Sequence, residues 1–226
     1  MNKNLYIKIV IQFLLFPIFM GALLFLPAGT FDYWEAWLFA AVFFVCNVAL
    51  TIWLMIEDPR LLVRRMRAGP SAEREPAQKA IMVFATLSFA GACILPALDH
   101  RFGWSDVPTS IVIIGNIFIA LSYLIFYFVF KENTYGAATI QVEDNQRVIS
   151  TGPYARVRHP MYVGALIMTL GMPLALGSWW GLLMLIPCVA TIVWRLLDEE
   201  KFLSRNLAGY TEFKNKVPYR LIPSVW

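Results

Sequence analysis

Four separated apolar runs, at about 9–26, 36–56, 80–98 and 109–130, constrain this chain more than any other feature. Each approaches the roughly 20 apolar residues that a helix needs to cross the hydrocarbon of a bilayer. A fifth apolar region, 161–197, is too long for one crossing and is interrupted by "GMPLALGSWWG", which contains Gly171, Pro173, Gly177 and Gly181. Two helices joined by a tight turn near Gly177–Trp180 account for it. In lipid a backbone must satisfy its own hydrogen bonds, which favours helices. The expected fold is therefore all-α: a polytopic membrane protein of about six transmembrane helices, the last two a hairpin, followed by a cytoplasmic C-terminal segment. Charged residues make up 15% of the chain, against roughly 25% in soluble domains, which agrees with a bilayer as solvent.

The N-terminal stretch "MNKNLYIKIVIQFLLFPIFMGALLFLPAG" has lysines followed by an apolar run. The run is long and no small-x-small cleavage site ends it, so it reads as a retained first span and not as a signal peptide. The expected organisation is a single membrane domain over 1–226. Residues 1–130 supply four helices and the loop 57–79, and 131–226 supplies the remaining polar motifs and the hairpin.

Charge placement sets the expected orientation. With both termini cytoplasmic, 18 of the 19 lysines and arginines fall on the cytoplasmic side or at its boundary, and only Arg101 falls outside. That asymmetry is the positive-inside pattern. An integral membrane protein with cytoplasmic N- and C-termini follows, and the bacterial look of the chain points to an inner membrane. Almost all polar material then lies on one face, in segments 57–79, 131–159 and 195–226. The three cysteines, Cys46, Cys93 and Cys188, lie inside apolar runs without CxxC or Cys/His spacing and read as small buried hydrophobes. No metal site is expected, and no nucleic-acid partner.

Two polar clusters stand out. In "GPYARVRHPMYVG" the Gly152-Pro153 pair signals a turn, and Pro160 suits the first turn of a helix. A helix start there offers free N–H groups to an anion, with Arg156, Arg158 and His159 beside it. The same residues also fit a positive anchor among lipid headgroups. In "WRLLDEEKFL" three acids, Asp198, Glu199 and Glu200, follow Arg195. Acids at a helix C-terminus oppose the dipole, so either the helix runs on to about Leu207 and stops at Gly209, or the acids have a partner. Arg195 and Glu199 are spaced i, i+4 and share a face, which fits a salt-bridged helix end as well as a site. Together the clusters offer opposite charges on one membrane face, suited to a zwitterionic, partly apolar cofactor such as S-adenosylmethionine. No GxGxxG follows a strand pattern, and Walker A and HExxH motifs are missing, which removes the commonest soluble nucleotide and zinc-hydrolase readings.

"GPYARVRHPMYVG", the interrupted hairpin, "DEEKFL", "GYTEF" and "VPYRLIP" together resemble the isoprenylcysteine carboxyl methyltransferase family, over about 130–226. "EDPRLLVRRMRAGPSAE" looks like a loop of its bacterial members. The family comprises multi-pass membrane enzymes that use S-adenosylmethionine, and its wider group includes phospholipid and thiol methyltransferases. The resemblance implies that 131–226 is a cofactor-binding methyltransferase region whose pocket is closed by the C-terminal segment. It implies cofactor contacts from Arg158, His159, Tyr162, Glu199 and Glu200, close helix packing at Gly164, and a catalytic role for Arg195 in orienting an acceptor carboxylate. Phe213 stands where many members carry a second aromatic hydroxyl, so "GYTEF" keeps only Tyr210.

Methyl transfer from a sulfonium is an in-line displacement with an activated donor. A carboxylate acceptor needs no general base, and the work is alignment and desolvation. The expected reaction is S-adenosylmethionine-dependent methylation of a lipophilic acceptor, a carboxylate such as an isoprenylcysteine-like α-carboxyl, reached from membrane lipid. A small thiol or lipid amine is the alternative acceptor, and would call on Glu199, Glu200 or His159 as base. From other classes stand an NADPH-dependent membrane reductase, whose C-terminal hairpin and tail are similar, and a non-catalytic membrane protein.

Overall fold

The computed structural model describes residues 3–73, 75–143 and 145–226, without the side chains of residues 3–8 and 12. Of the charges counted above, Arg74 and the side chains of Lys3 and Lys8 lie outside the described residues. The described residues form helices and turns with no strand among them. The α-helices are α1 (Lys3–Ala28), α2 (Trp34–Glu57), α3 (Pro59–Met66), α4 (Pro76–Phe102), α5 (Thr109–Glu132), α6 (Pro160–Ala175), α7 (Leu185–Asn206) and α8 (Tyr210–Lys216).

Five stretches are long and apolar enough to cross a membrane: Ile9–Ala28, Trp34–Glu57, Pro76–Phe102, Thr109–Glu132 and Trp180–Asn206. The sixth expected element is present as a shorter apolar helix, Pro160–Ala175. α6 has 16 residues and rises about 24 Å, less than the ~30 Å hydrocarbon core. Its ends explain the length. Pro160 sits at its start, and Gly177, at φ +66, turns the chain while Ser178 N–H donates to Pro173 O at 2.9 Å. Leading prolines also open α3 and α4, where a missing N–H costs nothing. Asp58 caps α3 by accepting from Leu61 N at 2.9 Å.

The helix sides divide by solvent. Leu14, Ile18, Leu26, Leu87 and Ile186 face outward and are exposed, Leu26 by 76%. A water-soluble chain would hide such a surface. Leu24, Tyr33, Phe39, Cys93, Ile119 and Leu176 form the interior between the helices. α5 and α6 approach closely along glycines. A Cβ on Gly115 would meet Ala175 N at 2.2 Å, and one on Gly164 would meet Phe126 Cε1 at 2.7 Å. The close packing implied for Gly164 is thus present.

The polar segments gather at the two ends of this bundle. At one end Asp99 binds Ser105 Oγ at 2.6 Å and also Ser178, and His100 stacks on Tyr33. At the other end α3, segment 133–159, the end of α7 and the C-terminal tail pack together. Arg64 donates to Thr134 O at 2.8 Å and pairs with Glu143 at 3.3 Å. The candidate residues lie at this second end.

Candidate functional site

α7 runs through its acids to Asn206 before Gly209, at φ +82, stops it. The carboxylates of Glu199 and Glu200 therefore project from the side of a continuing helix, and the conflict with the helix dipole does not arise. Adjacent positions on a helix point about 100° apart, and the two acids meet different partners.

Glu200 is the centre of a buried knot. Its Oε1 accepts from Arg158 Nε at 2.7 Å and lies 3.2 Å from His159 Nε2, and its Oε2 accepts from Arg220 Nε at 3.0 Å. Arg158 and Glu200 are each about 95% buried. Arg158 Nη1 also donates to the carbonyls of Val217 and Pro218, at 2.9 and 2.8 Å. The backbone completes the joint: Arg158 N donates to Tyr219 O at 2.9 Å and His159 N to Arg220 O at 3.0 Å. The tail 217–221 is thus sewn onto the start of α6. Arg220 further covers the Trp226 ring at 5.1 Å.

Glu199 turns the other way. Its Oε2 accepts from the Tyr162 hydroxyl at 2.6 Å. Both line a cavity of about 810 Å³, counted to its open mouth, together with Arg158, His159, Tyr154, Tyr210 and residues 135–137 and 139–141. Glu200 and Arg195 stand behind the lining. Arg156 is exposed and takes no part in the knot, in keeping with a headgroup anchor.

Arg195 does not form the i, i+4 pair expected with Glu199. Among the described residues its ion pair is Glu73 Oε1, at 2.7 Å, and the same Nη2 donates to Ala138 O at 2.8 Å. Glu73 is 3% exposed and its second oxygen accepts from Ile140 N at 3.3 Å. Arg195 and Glu73 together pin the loop that walls the cavity. Arg195 Nη1 is buried without a partner.

The anion site expected at the start of α6 is smaller than the sequence implied. Pro160 has no N–H, and those of Tyr162 and Val163 are bound to His159 O at 3.1 and 3.4 Å. Three participants escaped sequence reading, Glu73, Tyr154 and Arg220, and Tyr210 is marked in the sequence only as the hydroxyl that "GYTEF" keeps. Burial pushes the Tyr154 phenol up to about 12 against an opposing hydrogen bond from Asn133 Nδ2, so it stays protonated. Burial, reinforced by Glu199 and Glu200, raises the Tyr210 phenol far above its ordinary value. Tyr210 is 4% exposed, and its hydroxyl has no hydrogen-bond partner although it lines the cavity. A buried orphan hydroxyl costs about 1–3 kcal/mol unless something satisfies it, so the residues present fit a polar ligand.

Residues 110–209 match the phospholipid methyltransferase family model. That segment, under half of the chain, contains Arg158, His159, Tyr162, Arg195, Glu199, Glu200 and the whole α6–α7 hairpin. The family is related to the isoprenylcysteine carboxyl methyltransferases that the motifs resemble, so the likeness holds at the level of membrane methyltransferases. The chain is also similar to the Delta(14)-sterol reductase TM7SF2 of Mus musculus, 29% identical over 132 residues. That match takes in 49% of this chain and 31% of the reductase, so the chain spans well under half the length of that relative.

Proposed function

We propose that this chain is a membrane S-adenosylmethionine-dependent methyltransferase acting on a lipophilic acceptor, with a carboxylate as the methylated group. The observation that carries the reading is the convergence on one cavity of Glu199, Tyr162, Arg158 and His159, inside the segment that matches a methyltransferase family.

When bound, the cofactor supplies a methyl group on a sulfonium, already activated for displacement. The residues of the chain hold and align. Glu199, with one oxygen on Tyr162, offers the other to cationic or hydroxyl groups of the cofactor. Arg158 and His159 stand beside them at the start of α6, the rings of His159 and Tyr162 5.7 Å apart, and offer N–H donors to the cofactor's anionic groups. The Tyr210 hydroxyl supplies a further hydrogen bond. Glu200 keeps Arg158 and His159 in place and ties the tail across the back of the cavity. Arg195 holds the 138–140 loop through Nη2 and, standing outside the lining, would act on an acceptor carboxylate by positioning that loop. Alignment of this kind is the larger part of catalysis when neither reactant needs a proton removed.

Two other readings have an observation behind them. The matched family's name, phospholipid methyltransferase, favours a lipid amine as acceptor, for which Glu199 or His159 would take the proton. The likeness to a sterol reductase favours an NADPH-dependent reduction. Calorimetry on purified protein in detergent separates them. S-adenosylhomocysteine is expected to bind and NADPH not to; no S-adenosylhomocysteine binding at millimolar concentration sinks the proposal. Glu199→Ala and His159→Ala are expected to weaken that binding at normal expression. Transfer of radiolabelled methyl into a membrane extract then reports the acceptor, a base-labile label indicating a methyl ester.

A further inference from the structure

A second cavity, of about 1,020 Å³, opens among α1, α2, α3, α5 and α6. Its walls are mostly apolar, with Phe43, Leu50, Phe130 and Met168 among them, and Asn47, Thr51 and Tyr123 add neutral polar groups. One cation, Arg65 of α3, stands in this lining. Arg65 is also the partition between the two cavities. Its Nη1 faces Gly136 O at 3.4 Å, Ala137 O at 3.3 Å and Met161 Sδ at 3.3 Å, and Gly136, Ala137 and Met161 all line the first cavity. Its guanidinium lies over the Phe130 ring at 4.7 Å.

Arg65, half-buried, differs from Arg158 and Arg195. Arg158 is matched by Glu200 and Arg195 by Glu73, whereas among the described residues no carboxylate lies within ion-pair distance of Arg65. Burial pushes its guanidinium down to about 10, and Arg195 is near enough to add to the lowering. The group remains cationic at neutral pH, in a place where an unmatched charge is costly. An apolar chamber ending at an unmatched cation, one wall away from the site of methyl transfer, is shaped for an amphiphile.

We propose that the second cavity holds the apolar tail of the methyl acceptor and that Arg65 selects acceptors with an anionic group at the head, a carboxylate or a phosphodiester. The inference rests on the methyltransferase reading and adds to it the tail site and the residue that sets specificity. A carboxylate held by Arg65 faces the first cavity directly. A phosphodiester held there would present whatever group lies beyond it.

The test uses full-length protein in nanodiscs of zwitterionic lipid and four photoreactive probes of matched chain length. These are a fatty acid, its methyl ester, the corresponding amine and a lysophosphatidylethanolamine. An anionic-headed probe is expected to label peptides 43–54 and 123–130 about tenfold more than the ester or amine, the scale of a hydrogen bond to a charged group. Whichever of the acid and the lysophospholipid labels more names the source of the anion. Arg65→Gln should reduce that labelling to the level of the ester, and Arg65→Lys should restore part of it. Equal labelling by all four probes, or unchanged labelling in Arg65→Gln, overturns the proposal. If Arg65→Gln does not fold, Thr51→Trp fills the chamber and should abolish labelling; unchanged labelling there is equally fatal. S-adenosylhomocysteine binding, measured on the same samples, should stay within about twofold in Thr51→Trp, since Thr51 lines the second cavity and not the first. Labelling as expected without any S-adenosylhomocysteine binding would overturn the methyltransferase reading and leave the tail site standing.

Discussion

At the scale of single residues, adjacent acids with the same chemistry have different work. Glu200 has both oxygens committed to cations, while Glu199 keeps one oxygen toward the cavity. The sequence offered them as an equivalent pair, and only the partners distinguish them. Those partners lie 20 to 42 residues away in the chain, beyond any local pattern. Glu73 was illegible for the same reason: it lies 122 positions from Arg195. Arg158, His159 and Tyr162 could be picked out because they crowd into one short motif beside a helix-starting proline. Tyr210 gives a prediction at this scale. Removing its unpartnered hydroxyl in Tyr210→Phe should leave thermal stability unchanged or slightly higher, because a buried orphan group is lost. The same change should weaken S-adenosylhomocysteine binding roughly two- to tenfold, the worth of one hydrogen bond. Calorimetry and a melting curve on the same sample check both halves, and unaltered affinity would remove Tyr210 from the site.

At the scale of elements, the helices were legible and the joints were not. Hydropathy located α1, α2, α4, α5 and α7, because a crossing helix must be apolar for most of its length. The Gly177 turn and the Pro160 start were also marked by residue type, yet the distance between them was shorter than a crossing needs. The joint between the α6 start and the tail had no signal except the spacing of its motifs. It yields a sharp expectation. Glu200→Gln leaves Arg158 buried and uncompensated, a change that costs about 3–5 kcal/mol where a buried pair is broken. Arg220, whose side chain is 30% exposed, has water to fall back on, so Arg220→Gln should cost less. Hydrogen exchange over 217–226 should quicken in both variants while exchange in α5 stays slow. A tail that remains protected in Glu200→Gln would mean that the backbone pairing alone holds it.

At the scale of the whole molecule, charge and aromatic residues divide between the two ends. Exposed Trp34, Trp37, Trp104, Trp179 and Trp180 cluster at the end that carries Arg101, as expected of residues at a membrane interface. The opposite end carries α3, the 133–159 segment and the tail. We propose that this second end is cytoplasmic, on the positive-inside pattern. Single cysteines placed at Ser224 and Asp106 in a cysteine-free background test the orientation. An impermeant thiol reagent applied to intact cells should label Asp106→Cys only, and permeabilised cells should label both. The reverse pattern would turn the protein over and move the candidate site to the other side of the membrane.

The pairing of 158–159 with 219–220 has a bearing on how the chain is made. Helices enter the membrane in the order of synthesis, and α6 is in place some 60 residues before its partner in the tail exists. Until residue 220 has left the ribosome, Arg158 and His159 lack the backbone acceptors that fix them, and Arg158 and Glu200 must meet without Arg220. Membrane insertion and completion of the cavity are therefore separate events in time. A nascent chain that has emerged as far as the end of α8 holds every helix, with one wall of its site still unbuilt.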